Sequence, residues 1–248
     1  MPSRRTFLFT LTGALAGLCA SRFSHAKVDP ALWVAGELPP FVWKGAQGPE
    51  GYAFELFQRV TRQAELSASL HFYPWARALR MLEGGQAHAA LAVTRTPDRE
   101  AQFRWLFPVG RFSFAVLMHA TGTEAPANVV GLRAHRVGYL RGSVVRGMLD
   151  DAGVAQAVEG KDYAELLAML QREIVSAVIG PDAVLRTLDT RGRLRIAPLG
   201  EGQAFYAAAG PAMADGTVER LRAAYQQLVD GGTVAQLRKR HPEAFVAD

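Results

Sequence analysis

Thr94 and Arg99 bracket the stretch Arg95-Thr96-Pro97-Asp98. Ahead of them, Ala89 to Val93 is a short apolar run, the pattern of a strand buried on both faces. Behind them, Thr96 suits a helix N-cap, Pro97 the first helical position, and Asp98 the positive end of a helix. Thr94 and Arg99 thus stand where a strand hands over to a helix N-terminus. That place offers backbone N–H groups, a hydroxyl and a guanidinium fork, a set that would hold a carboxylate or another small anion. The same residues also fit a plainer reading, in which Arg99 is a surface helix residue and Thr94 an ordinary turn residue. Trp75 and Arg77 are the next residues of interest. Trp75 follows Pro74 at a helix start, where an indole could stack on a flat or aliphatic ligand part and Arg77 could add charge. Trp75 fits equally well as a seal on a hydrophobic core.

The elements that must position these residues alternate along the chain. Ala76 to Glu83 carries Leu79 and Leu82 at helical spacing and ends at Gly84-Gly85. Ala31 to Ala35 reads as a first strand, Gly51 to Ala64 as a helix and Leu70 to Tyr73 as a strand. Ser113 to His119 is a strand, and the small, turn-rich stretch 120–128 reads as a boundary. Arg136 to Leu140, then Gly142-Ser143, restarts the pattern as strand, glycine turn and helix. Tyr163 to Gln171 is a helix and Ser176 to Ile179 a short strand. Arg193 to Pro198 is a strand, and Gly200-Glu201-Gly202 a turn before Ala204 to Ala209. Thr217 to Val229 and Thr233 to Arg240 close the chain as helices. Such alternation is the α/β pattern.

The first 26 residues read as a targeting segment. Ser3-Arg4-Arg5-Thr6-Phe7-Leu8 resembles the twin-arginine export motif, although a Sec signal that happens to hold two arginines fits as well. The apolar stretch from Phe7 to Ala20 is too short for a good membrane span. Ser24-His25-Ala26 is a small-x-small cleavage site, which would leave a mature chain beginning at Lys27 in the periplasm. Cys19 follows Leu18, so no lipobox is present, and the chain's single cysteine leaves with the leader. The mature chain then has no disulfide, thiol nucleophile or thiolate metal site. The leader holds three arginines and no acid, so the mature chain carries 25 basic against 23 acidic residues. That balance gives no argument for nucleic acid. The histidines His71, His88, His119, His135 and His241 lack metal-ligand spacing, and no phosphate-loop or dinucleotide fingerprint is present. No cofactor and no metal are expected.

Gly85-Gln86-Ala87-His88-Ala89 and Thr94 to Arg99 together resemble a G-x-x-D-A, apolar strand, T-x-T-x-x-R signature. Pro39-Pro40-Phe41 and Gly51-Tyr52-Ala53-Phe54-Glu55-Leu56 resemble an opening P-F and G-F-x-x-D-L. Asp230-Gly231-Gly232-Thr233, followed by Leu237, resembles a closing D-G-T and helix. In this order the motifs resemble the bacterial extracellular solute-binding proteins of family 3, polar amino-acid binders. The resemblance implies an α/β, two-lobed type II periplasmic-binding-protein fold with two crossings between lobes. Lobe 1 would comprise 27–117 and 205–248 and lobe 2 118–204, with Phe114–His119 and Gly202–Ala207 as hinge strands. It implies a monomer that captures a small carboxylate or amino acid in the interlobe cleft, for an ABC-type uptake system with an inner-membrane permease.

Val137 to Val144 resembles the family's lobe 2 anion loop. Gly142 would let the backbone approach closely, and Ser143 would cap a helix while donating to an anion; a plain Gly-Ser helix start is the simpler alternative. Phe41 and Trp75 are the aromatics near the implied cleft. Arg95 and Arg141 either enrich its positive field or are solvated. The chain also departs from the family pattern. Leu38 stands where an aromatic platform is usual, and His88 replaces a mainly structural aspartate. The lobe 2 D-A pair is Ser176-Ala177. The aspartate that grips an α-ammonium falls at Pro181-Asp182, one residue out of register, so Asp182 is the candidate for that role. Two other classes of function remain open. One is a dehydratase-like enzyme using Asp182 or Glu37 as an acid; the other is a ligand-sensing module without transport.

Overall fold

The computed structural model describes residues 30–120, 124–188 and 192–245; the segment read as an export leader lies outside them. Strand β1 (Ala31–Ala35) opens the described chain and buries Trp33, Val34 and Ala35 completely. A short hairpin follows, β2 (Trp43–Gly45) and β3 (Gly48–Glu50), then helix α1 (Tyr52–Gln63), strand β4 (Ala68–Phe72), helix α2 (Trp75–Glu83) and strand β5 (Ala89–Thr94). β1 lies parallel to β4 on one side and to β5 on the other. All six residues of β5 are buried. An apolar run without alternation is what a parallel strand covered on both faces requires.

Strand β6 (Arg104–His119) leads into β7 (Val137–Leu140), α3 (Val145–Asp151), β8 (Ala157–Gly160), α4 (Tyr163–Gln171), β9 (Ala177–Pro181) and α5 (Asp182–Leu188). Strand β10 (Leu194–Ala209) then returns, and α6 (Asp215–Asp230) and α7 (Thr233–Arg240) follow. Eight strands form one sheet in the order β4-β1-β5-β10-β6-β9-β7-β8. The long strands β6 and β10 pair antiparallel from His119–Leu194 to Arg104–Ala209. β10 also joins β5 through Phe205–Ala209, and β6 joins β9 through Phe114–Leu117. Each long strand therefore has one end in each lobe, and the chain passes between lobes along them twice.

These two strands are longer than the sequence pattern suggests. β6 begins at Arg104 rather than Ser113; Pro108 and Arg111 interrupt the apolar pattern of its first half and mask it in the sequence. Pro108 is tolerated where the β6–β10 register shifts, between Phe205 and Tyr206. The Gly200-Glu201-Gly202 turn is an irregularity inside β10, between Pro198 and Gly202.

Aromatic packing ties the first lobe together. Trp33 meets Phe57 of α1 at 5.0 Å and Phe107 of β6 at 6.3 Å, and Phe107 stacks on Tyr225 of α6 at 5.3 Å. α1 offers Tyr52, Ala53, Leu56, Phe57 and Val60 on one face. Its start requires a glycine: Gly51 has φ 104°, and a Cβ there would lie 2.5 Å from the Phe41 carbonyl oxygen. The closing helices α6 and α7 pack on α1.

The position of His88 shows how the chain replaces a motif aspartate. The Leu32 N–H donates to His88 Nδ1 at 3.0 Å, and the His88 N–H donates to the Leu32 carbonyl at 2.8 Å. Ser176 does the same in lobe 2: its Oγ accepts from the Arg136 N–H at 3.2 Å, and its own N–H donates to the Arg136 carbonyl at 2.9 Å. In each case a side-chain acceptor satisfies a backbone N–H at the start of the neighbouring parallel strand.

Glu55 clamps the C-terminal segment. It accepts from Arg240 at 2.6 Å and from His241 at 2.8 Å. Burial pushes the Glu55 carboxyl up, but the hydrogen bonds and charges of His241 and Arg240 outweigh it and hold the group below its usual range. A carboxyl lowered in the folded state adds stability above its unfolded pKa, and that stability is lost as pH falls through the lowered value. Glu55→Gln is expected to lower Tm by roughly 1–3 °C at pH 7. The gap should narrow as pH falls below the usual carboxylate range and through the lowered value. Thermal melts of both proteins across pH 3–8 check this; an unchanged gap at the acid end would count against the clamp.

Candidate functional site

The ends of β1, β5 and β7 meet the hinge strands around a cavity between the lobes. Its first-lobe wall is Gly36, Glu37 and Leu38 after β1, Trp75 at the start of α2, and Leu91, Ala92 and Thr94 of β5. Its floor is Phe112 and Phe114 of β6 with Phe205 of β10. Phe112 stacks on Phe205 at 4.0 Å and meets Phe114 edge-on at 5.0 Å. The second-lobe wall is Leu140, Ser143, Val144 and Val145, with Tyr163 and Pro181. The cavity is partly open, with a volume of about 40 Å³. At about 10–15 Å³ per water, that is room for roughly three or four waters. A second chamber of about 270 Å³ opens beside it, sharing Gly36, Glu37, Trp75 and Leu140 and adding Tyr73, Lys161 and Asp162.

The turn after β7 meets the start of α2 and Arg99 beside this cavity. Leu140 to Ser143 form a tight turn, with the Ser143 N–H donating to the Leu140 carbonyl at 3.0 Å. Gly142 holds φ 78° at its third position, the conformation that selects glycine in such turns. The Gly142 carbonyl then accepts from Trp75 Nε1 at 3.1 Å and from Arg99 Nη2 at 2.9 Å. A Cβ on Gly142 would stand 3.0 Å from Ala76 Cα, so glycine also permits this approach.

Arg99 is half-buried and turns two donors onto carbonyls, those of Gly142 and, at 3.4 Å, of Thr94. It has no ion-pair partner among the described residues. Burial lowers its pKa, against the opposing fields of Glu83 and Asp98. The group stays a cation, but one short of solvation. Next in sequence to Gly142, Ser143 Oγ is buried without a hydrogen-bond partner among the described residues. Thr94 is buried on the same cavity. Burial also pushes the Tyr163 phenol up, so it faces the cavity as a neutral hydroxyl. A guanidinium, three hydroxyls and an apolar wall suit an anionic head on an apolar body.

Two local expectations are corrected. The helix expected after Thr96 is a single 3-10 turn, Pro97–Arg99, and the Thr96 side chain makes no capping bond. Only residues 100–103 separate this turn from β6, which leaves no length for a helix. Ser143 does not cap α3 either: Val144 holds the N-cap position. The serine hydroxyl is left for the cavity instead.

The structure puts Trp75, Thr94 and Ser143 on the cavity wall, and ties Gly142 and Arg99 to that wall through the Gly142 carbonyl without lining it themselves. It does not bring Phe41, Arg77 or Asp182 onto the cavity wall. Phe41 is fully buried beneath the floor, edge-on to Phe205 at 5.2 Å. Arg77 is exposed, with its guanidinium 4.8 Å over the Tyr73 ring. Asp182 is buried but ion-paired with Arg186 at 3.1 Å, while its neighbour Pro181 lines the cavity. Arg95 lies over Trp105 and Tyr206 and pairs with Glu100, and Arg141 pairs with Glu159 at 2.8 Å. The sequence reading missed Leu91, Phe112, Phe114, Tyr163 and Phe205. The signal for Phe112 and Phe114 was their i, i+2 spacing, which puts both on one face of a strand. Among the described residues no group of three or more His, Cys, Asp or Glu could hold a metal, and no helix is long and apolar enough to cross a membrane.

Comparison with solved structures gives the same architecture. An ancestral arginine-binding protein bound to glutamine superposes with a TM-score of 0.77 at 17% identity, covering 85% of this chain and 97% of that one. The amino acid ABC transporter substrate-binding protein AbpA from Streptococcus pneumoniae, bound to L-arginine, gives 0.74 at 20% identity, covering 88% and 96%. A histidine kinase sensor domain with similarity to periplasmic binding proteins gives 0.77 at 17% identity, covering 85% and 95%. At these identities the likeness bears on the fold. No match was found among curated protein sequences. The family model for bacterial extracellular solute-binding proteins, family 3, matches residues 32–243. With that match covering most of the chain, the chain belongs to the bacterial extracellular solute-binding proteins, family 3.

Proposed function

We propose that this chain is exported to the periplasm and captures a small carboxylate or amino-acid-like ligand in the interlobe cleft for an ABC-type permease. The observation that carries the reading is a half-buried Arg99 that lacks a carboxylate partner and bonds the Gly142 carbonyl, next in sequence to Ser143, whose buried hydroxyl on the cavity wall has no partner among the described residues. A desolvated guanidinium gains most from an anion that offers two oxygens to its fork. The apolar wall favours closure over a ligand that buries carbon. Ligand contacts made by both lobes stabilise the closed arrangement, which makes binding and closure one equilibrium. The arginine- and glutamine-bound relatives support an amino-acid-like head group. A sensing role would use the same cleft with a different partner, and the sensor-domain relative keeps that reading open; co-purification with a permease rather than a kinase separates the two.

The test is a thermal-shift screen of the mature protein against small carboxylates and amino acids, followed by titration calorimetry of each hit. A ligand at one hundred times its Kd adds about 2.7 kcal/mol. For a chain of this size that is a Tm rise of about 5–10 °C. If no carboxylate at millimolar concentration moves Tm, the reading fails.

A further inference from the structure

We propose that the cleft prefers a carboxylate with a compact apolar body and no α-ammonium group, such as a branched or aromatic 2-oxo or 2-hydroxy acid, over a polar amino acid; this rests on the carboxylate reading above. The enclosed wall is built of Leu38, Leu91, Leu140, Phe112, Phe114 and Phe205. The side chains that add polarity inside it, Thr94, Ser143 and Tyr163, are uncharged hydroxyls. Such groups can bond a keto oxygen or a hydroxyl, but they do not neutralise a cation.

An ammonium group moved into this wall would lose its hydration, at a cost of several kcal/mol unless a carboxylate faces it. Asp182 does not supply that carboxylate. Both of its oxygens lie 3.1 Å from Arg186 nitrogens, and the cavity wall at this point is Pro181. Glu37 does reach the cavity, but it is exposed and shared with the outer chamber, and an exposed carboxylate pairs only weakly with a cation.

Matched pairs test the inference. The probes are 4-methyl-2-oxopentanoate against L-leucine and phenylpyruvate against L-phenylalanine, with L-arginine alongside, titrated into the mature protein at neutral pH. The expected result is that at least one oxo acid binds at least about tenfold tighter than its amino acid, a difference of about 1.4 kcal/mol. An amino acid that binds as tightly as its oxo partner, or L-arginine binding tighter than both oxo acids, overturns the inference. If such amino-acid binding is lost in Arg99→Ala, the carboxylate reading stands and only the ligand class is wrong. If no probe binds and the wider carboxylate screen is also blank, both fall.

Discussion

Arg99→Ala is expected to weaken ligand binding by about two orders of magnitude or more while the protein stays folded. Truncating one partner of a buried, hydrogen-bonded charge pair costs roughly 2–5 kcal/mol, and each 1.4 kcal/mol is tenfold. Two losses combine in this variant. The ligand carboxylate loses its fork, and the Gly142 carbonyl loses one of the two donors that join the lobes. Arg99→Lys should recover part of the first loss, because an ammonium is a point charge without the planar fork. Folding should survive because Arg99 lies on a single 3-10 turn and its bonds go to cleft carbonyls, not into the core. The unliganded variant should melt no lower than wild type. A half-buried cation without a counter-carboxylate is a cost to the free protein, of the kind binding sites often carry. Calorimetry and thermal melts on the same preparations decide it. Affinity within a few-fold of wild type in a folded Arg99→Ala protein would sink the site assignment, and Trp75 would be the next residue to test.

Gly142→Val is expected to hold the lobes apart. The added Cβ would meet Ala76 Cα at 3.0 Å and Ala76 Cβ at 3.2 Å, on the N-terminal turn of α2, and valine's two methyls lie further out. Overpacking of this kind costs about 1–3 kcal/mol, and it falls on the closed arrangement alone. Affinity should therefore drop by about one to two orders of magnitude. The left-handed φ of 78° adds strain of about 1–2 kcal/mol wherever the turn is kept. That part should appear as a Tm loss of a few degrees without ligand. Gly142→Ala should show a weaker form of both effects. Small-angle scattering with saturating ligand should report a larger radius of gyration for the valine variant than for wild type. Equal radii and equal affinity would mean that the Gly142 turn does not form the contact between lobes.

The elements were legible where local patterning and burial agree. β1 and α4 occupy the residues that periodicity assigns to them, because an apolar run or an amphipathic stripe is itself the cause of burial. β6 was half hidden, since Pro108 and Arg111 look like interruptions until β10 supplies a register shift beside the proline. β8 and α5 escaped notice because each is short and carries an acid that blurs its period. Ala92 was invisible as a special residue. Its φ of 58° coincides with the slip in β5–β10 pairing between Tyr206 and Ala208, and only the paired strand reveals a slip.

At the cleft, the sequence by itself determined which groups were available. The strand-to-turn handover at Thr94, the guanidinium of Arg99 and the glycine before Ser143 are properties of residue type and order, and local order is enough to find them. The tertiary structure decided which of those groups meet. Arg99 and Gly142 lie 43 residues apart and Trp75 and Gly142 lie 67 apart, and they touch because β6 and β10 fold the two lobes against each other. It also decided what became of Asp182 and Ser143. One turn of α5 places Arg186 within reach of Asp182, so that carboxylate is already paired. The start of α3 passes the N-cap position to Val144, so the serine hydroxyl is left for the cavity. Whether a polar side chain is free depends on what lies near it in space, and one residue of register is enough to change that.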